Sequence, residues 1–371
     1  MPPPGFLDAA SGQPLNPAAR EAWEAAADSG WADPRRLYRA GRQADLLQQA
    51  AREAMAHDLG TPSGSVFLTA TNTDLPDRVI RSLVPPKGTV VMSAVEHSSV
   101  LAAGDGLTDG GGRVRLVSVD RLGRVDPVEF AEALPGADLA ILQAANHEVG
   151  TRQPVAEMAA ACARADVPFV LDASFSLGHD PVPEDWSVLL GEAGSWGGPR
   201  GTGLVVVRDP SIRRRLARTV PPAALPSALA AARGWEWAVQ HREPESTRSR
   251  ELTDRLLQEL TARISDVLPL GDPVDRLPHL VAFSCLYVDG EALVLGLDRA
   301  GYAISSGSSC VSDTRRPSHV LAAMGALTQG NVRVSLPYGV TDETIEGFLD
   351  VLPAVVTDVR RMVGAPPTES A

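Results

Sequence analysis

Short apolar runs rich in β-branched residues recur through the first half of the chain and predict strands at 66–68, 90–92, 114–119, 139–143, 169–171 and 204–207. Between them the apolar positions take helical spacing, as at 126–134 and 155–165. The first of these helices opens with Asp126 as N-cap, Pro127 in the first turn and Glu129 three residues after the cap, the pattern of a capping box. Strand and helix alternating in this way predict an α/β fold with a mostly parallel sheet covered on both faces. Near Arg248 the pattern changes. A helix over 251–264 is followed by an α+β unit at 280–286, 290–300 and 302–305, and the tail 342–363 reads as two helices. The expected organisation is an N-terminal segment, 1–15, packed on a small domain, a large domain over 16–250, and the small C-terminal domain over 251–371.

Composition narrows the function classes. Apolar residues make up 44% of the 371 and charged residues 22%, ordinary globular values. Neither an apolar run of membrane-spanning length nor a secretory leader pattern is present, so no membrane association and a cytoplasmic location are expected. The net charge of −12 argues against a nucleic-acid surface, and the basic run Ile212-Arg213-Arg214-Arg215 reads as a solvated helix face. Cys162, Cys285 and Cys310 form no Cys-x-x-Cys pair, and no metal site is expected. Cys162 and Cys285 read as buried small hydrophobes, whereas Cys310 sits in a Ser- and Gly-rich segment whose small polar residues favour an accessible thiol. The chain has one lysine, Lys87, against 33 arginines.

Nine segments in order then carry a resemblance. They are Phe6-Leu7-Asp8-Ala9-Ala10, Leu37-Tyr38-Arg39-Ala40-Gly41-Arg42, Glu96-His97-Ser98-Ser99-Val100-Leu101, Asn146-His147-Glu148-Val149-Gly150-Thr151, Leu171-Asp172-Ala173-Ser174, Gly198-Pro199-Arg200-Gly201, Ser305-Ser306-Gly307-Ser308-Ser309-Cys310, Pro317-Ser318-His319-Val320-Leu321 and Val332-Arg333-Val334-Ser335-Leu336. Together they resemble the cysteine desulfurases, class V aminotransferases of the fold-type I group that uses pyridoxal 5′-phosphate (PLP). The resemblance implies the fold-type I PLP-transferase architecture and a homodimer, or a heterodimer with an active desulfurase paralogue.

It also implies roles. Asp172, at the carboxyl end of a predicted strand where open α/β sheets present ligand-binding groups, matches the aspartate that pairs with the pyridinium nitrogen. His97 matches the imidazole stacked on the cofactor ring, and Arg333 the arginine that grips the substrate carboxylate. Cys310 matches the nucleophile that accepts sulfur as a persulfide, for onward relay to a partner protein.

Other matched positions depart from the family pattern. Ser195 stands where the resemblance places the Schiff-base lysine, Gly194 where it places a phosphate-binding histidine, and Glu192 where it places a phosphate-binding serine. Asn72 falls in the phosphate turn, Phe175 replaces a glutamine, His147 replaces an asparagine, and Pro221-Pro222-Ala223-Ala224 aligns loosely with a segment that reaches the partner subunit's phosphate. A carboxylate about 4 Å from a phosphate repels it by roughly 4 kcal/mol at an effective dielectric near 20, about a thousandfold in affinity.

The leading expectation is therefore a desulfurase-like protein without bound cofactor or ordinary activity, acting as partner, scaffold or sulfur acceptor through Cys310. The first alternative is an active desulfurase or C–S lyase holding PLP noncovalently, with His147 or His97 as base. The second is a small-molecule binding protein whose cleft is lined by Phe175, Trp196 and His147.

Overall fold

A computed structural model describes residues 3–29, 31–70, 73–306, 317–362 and 364. Asn72 and Cys310 lie outside the described residues. Seven strands form the large sheet: β1 (Val66–Thr69), β2 (Thr89–Ser93), β3 (Arg113–Val117), β4 (Leu139–Gln143), β5 (Phe169–Asp172), β6 (Val188–Glu192) and β7 (Gly203–Val207), in the order β1-β7-β6-β5-β4-β2-β3. Strands β3, β2, β4, β5 and β6 run parallel, while β7 and then β1 join antiparallel. The fold is thus α/β with a mostly parallel central sheet, as expected.

Burial explains why the apolar runs were legible. β2, β4, β5 and β7 are buried at every position, because helices cover both faces and leave no polar alternation. The edge strand β3 is largely open, which accommodates Arg113 and Arg115. β6 is a strand the periodicity misses: its apolar run is three residues long before Gly191 and Glu192 lead into a turn.

A second sheet holds β8 (Val267–Leu270), β9 (Leu280–Cys285), β10 (Ser305–Ser306) and β11 (Asn331–Ser335), all antiparallel in the order β10-β11-β9-β8. The helix Leu225–Arg263 serves both layers. Its 39 residues span about 58 Å. Ala228, Ala231 and Trp235 pack into the core under the large sheet, and Leu252, Leu256 and Leu260 into the core of the small one. The predicted helix 251–264 is its second half. Pro244 reads as a breaker but lies inside it, and the 250/251 division falls within one continuous element.

The tail differs for the same reason. It is one helix, Asp342–Met362, running through Pro353, because the stripe Ile345, Phe348, Leu352, Val356 and Val359 stays buried on both sides of the proline. Asp126 caps Pro127–Ala133 as predicted, its side chain accepting the Val128 N–H at 2.8 Å. Glu129 does not complete the box: it takes the Ser118 hydroxyl at 2.6 Å instead. Cys162 and Cys285 are free and buried, and burial pushes both thiols up to about 12.

The N-terminal segment ties the layers together. The Leu7 N–H donates to Ala303 O and Leu7 O accepts from Ser335, both at 2.8 Å, and Leu7 belongs to the small-sheet core. Further on, Asn16 Nδ2 donates to Trp196 O and Gly234 O under the large sheet. Among the described residues, no helix is long and apolar enough to cross a membrane.

Candidate active site

A cleft of about 720 Å³ opens at the carboxyl ends of β2, β5 and β6, walled by Asp8–Gly12 on one side and Ile304–Ser306 on another. Two residues from the parallel strands reach its first end. Asp172 terminates β5, and its Oδ1 accepts the Ser174 N–H at 3.0 Å and the Ser174 hydroxyl at 2.6 Å. Its Oδ2 has no partner among the described residues, so it is available to a ligand. His97 caps the helix Ser98–Asp109, with Nδ1 accepting the Ser99 N–H at 3.2 Å. That bond puts the proton of the neutral ring on Nε2. Ser99 Oγ, 2.8 Å from the same Nδ1, can accept from it in the other tautomer and so free Nε2 as an acceptor. Burial holds His97 below the ordinary imidazole value, with Asp172 opposing and His319 and Arg333 reinforcing.

The other end is built by the turn after β6. Glu192 ends the strand, and its Oε1 accepts the Gly201 N–H at 3.0 Å. Burial raises its carboxyl above the usual range, opposed by the Gly201 N–H, by Arg200 and by the N–H groups of Gly194 and Ser195. A Cβ at Gly194 would lie 2.5 Å from Glu192 Oε2, the movable end of that side chain, and 3.2 Å from Arg200 Cγ. Gly12, at φ +127, likewise leaves room for the Arg200 stem, 2.4 Å from where its Cβ would stand. Ser195 lines the cleft, but its hydroxyl is spent on Leu177 O at 2.8 Å.

Three predicted residues lie elsewhere. His147 is fully buried behind the cleft, its ring centroid 5.0 Å from His97 and 5.4 Å from Phe175, with neither nitrogen hydrogen-bonded. Its Nε2 is 3.7 Å from Glu148 Oε1, yet this is no ion pair. Burial drives His147 well below its usual value and raises Glu148 to about 7. Trp196 is fully buried, donating to Ala231 O at 2.9 Å. Of the three aromatic residues expected to line the cleft, only Phe175 does. Side-chain facing after β4 and in the turn after β6 is set by tertiary packing that no periodicity records.

Arg333, on β11, is 2% exposed and engaged: it donates to His147 O at 2.9 Å, Ser11 Oγ at 2.9 Å and Asp8 Oδ1 at 3.1 Å, leaving Nε without a partner. It does not line the cleft wall. Sequence reasoning passed over His179 and His279, which line the cleft beside Ser195 and stack at 3.5 Å. Burial holds both below the ordinary value, His179 at about 4. The available signal was His179, seven residues beyond Asp172 on the same side of the sheet.

Lys87 is exposed in the turn before β2. The cleft lies past the other end of that strand, about 17 Å along it. No side-chain amine reaches the site. The residues at the first end fit a pyridine ring, with a carboxylate for its nitrogen and an imidazole for its face. Those at the second end do not suit a phosphate, because the Glu192 carboxylate stands there and takes the Gly201 N–H.

Comparison with known proteins agrees with this architecture. The aminotransferase class-V family model matches residues 6–221 and 217–348. The chain is 31% identical to the cysteine desulfurase IscS of Dictyoglomus turgidum, over 96% of this chain and 95% of that protein. It is 33% identical to the IscS-like cysteine desulfurase of Mycobacterium tuberculosis, over 96% and 97%. A solved NifS-like protein superposes with a TM-score of 0.86 at 24% identity, covering 95% of this chain and 99% of that one, which shows a shared fold. Relatives bearing the desulfurase name over nearly the whole chain favour active family chemistry over the expectation of lost activity. The chain belongs to the cysteine desulfurase family of class V aminotransferases.

Proposed function

We propose that the chain is an active desulfurase-type C–S lyase acting on the sulfur of cysteine, with a pyridoxal-type ring held without a covalent bond. The observation that carries this reading is the pairing of Asp172 and His97 at one end of a single cleft. When bound, such a ring supplies an electron sink. Asp172 would hold the ring nitrogen, and His97, with either tautomer accommodated by Ser99, would move the proton. His97 replaces His147 as the candidate base, since His147 is sealed behind it. Cys310 would accept the sulfur for a relay partner, in a cytoplasmic dimer.

The test is alanine release from cysteine, and sulfide release with dithiothreitol present to reduce the persulfide, by the purified chain supplied with pyridoxal or with its 5′-phosphate, against a heat-denatured control and the His97→Ala variant. Release that needs His97 supports the reading, and release no greater than the denatured control rejects it. A second reading, partner or sulfur acceptor without turnover, is favoured by the distance of the single lysine from the cleft. It predicts a persulfide on Cys310 only after mixing with an active desulfurase and cysteine, detected by mass spectrometry.

A further inference from the structure

The two ends of the cleft ask for different things of one ligand. At the first end Asp172 Oδ2 and the His97 ring suit a pyridine. At the second end a donor that could receive an anion is already used by the chain: the Gly201 N–H goes to Glu192 Oε1 at 3.0 Å. The Glu192 carboxylate is held there by that bond, and the absence of a side chain at position 194 leaves room for its other oxygen. Size does not exclude a phosphate, because the cleft holds about 720 Å³. The Glu192 carboxylate opposes one by its charge and by the Gly201 N–H it holds.

We infer that the cleft selects an unphosphorylated hydroxymethylpyridine over its 5′-phosphate ester, with the ring at Asp172 and His97 and the 5′-hydroxyl donating to Glu192. The inference rests on the ring site proposed above and adds what the ligand carries at its far end. A hydroxyl donates to a carboxylate in a charge-assisted bond, whereas a phosphate dianion only accepts and meets the same carboxylate as a like charge. Arg200 lines this end and attracts either anion, so it does not favour one ligand's charge without also drawing on Glu192. Whether Glu192 is ionised or protonated, it still takes the Gly201 N–H. The selection therefore does not hang on its charge alone.

The experiment is calorimetric titration of the full chain with 4-deoxypyridoxine and with 4-deoxypyridoxine 5′-phosphate. Neither carries an aldehyde, so Lys87 cannot react with them. Wild type is expected to bind the alcohol at least tenfold more tightly than the ester. Glu192→Ser, which restores the residue type of the family pattern, is expected to tighten the ester at least tenfold and weaken the alcohol. Glu192→Gln keeps the shape and removes the charge; should the serine variant fail to fold, it must move the ratio in the same direction. Wild type binding the ester as tightly as the alcohol overturns the inference, as do a ratio unmoved by both variants and a chain that binds neither ligand at millimolar concentration. Cysteine turnover is scored separately. Sulfide release without the alcohol preference leaves the proposed function standing and removes this inference alone, and the preference without release does the reverse.

Discussion

The two ends of the cleft are built from neighbouring strands of one parallel sheet, yet they differ in kind. At the end of β5 a carboxylate is anchored by one oxygen and left open at the other. At the end of β6 a carboxylate takes a backbone N–H of its own turn on one oxygen and still lines the cleft. The same functional group thus offers a ring nitrogen its acceptor in one place and opposes an anion in the other. What separates them is the following turn. Asp172 is followed by Ser174, which braces it, and Glu192 by Gly194, which makes room for it to fold back. A family fold at about 31% identity constrains the strands far more than what the turns do with them.

The largest effect that would sharpen this contrast is expected at His97. Replacing it with Ala should cut sulfide release by about 10²–10⁴-fold, the usual worth of a positioned acid–base group. His147→Leu should stay near wild type, because the buried ring has no hydrogen bond to lose. Equal losses in both variants would show that the cluster acts through packing, and the open end would lose its distinction.

Next is the pH dependence behind the ring end. Glu148 has its folded value near 7, above the ordinary 4.5, so the folded chain keeps this proton longer than the unfolded one. Its contribution is complete below the unfolded value and is lost as pH rises through about 7. The loss is at most about 3 kcal/mol. Urea unfolding of wild type and Glu148→Gln at pH 5 and pH 8 checks it: the wild type should lose more stability between the two, and parallel changes would reject the assignment. The opposing histidines cancel in that difference.

Asp172→Asn should weaken 4-deoxypyridoxine binding about 10- to 100-fold, the range for a hydrogen bond to a charged group, while Ser195→Ala should not change it. The smallest effect is at the Glu192 end. Gly194→Ala should destabilise the chain by no more than about 1 kcal/mol, read from urea midpoints, because the Glu192 side-chain end it meets can swing aside. In the Glu192→Ser background that cost should largely vanish, since the colliding oxygen is gone. A cost that persists would mean the glycine answers to Arg200 and not to Glu192.

Much of this was legible in the chain. The parallel strands stood out because two-sided burial leaves unbroken apolar runs, and the positions of Asp172 at a strand end and His97 before a helix were legible because both are local features. β6 escaped because a three-residue run before a glycine carries too little pattern. The long helix was truncated, and the tail split, because Pro244 and Pro353 look like breakers until the buried stripe on each side is seen. His147 and Trp196 were assigned to the cleft from their place in motifs, but which wall a side chain faces is decided by Phe175, His97 and the helix at Ala231. The seat of Glu192 depends on Gly201, nine positions away.

The lone lysine has a practical side. Lys87 sits on an exposed turn at the amino ends of the strands, with the sheet between it and the cleft. The α-amino group apart, amine-directed coupling has one side chain to find. A biotin or surface linker fixed there would hold every molecule in the same orientation with the ligand cleft facing solution, and a dye fixed there would report tumbling without touching the chemistry. The residue whose position denies the site an amine gives the experimenter a tether outside it.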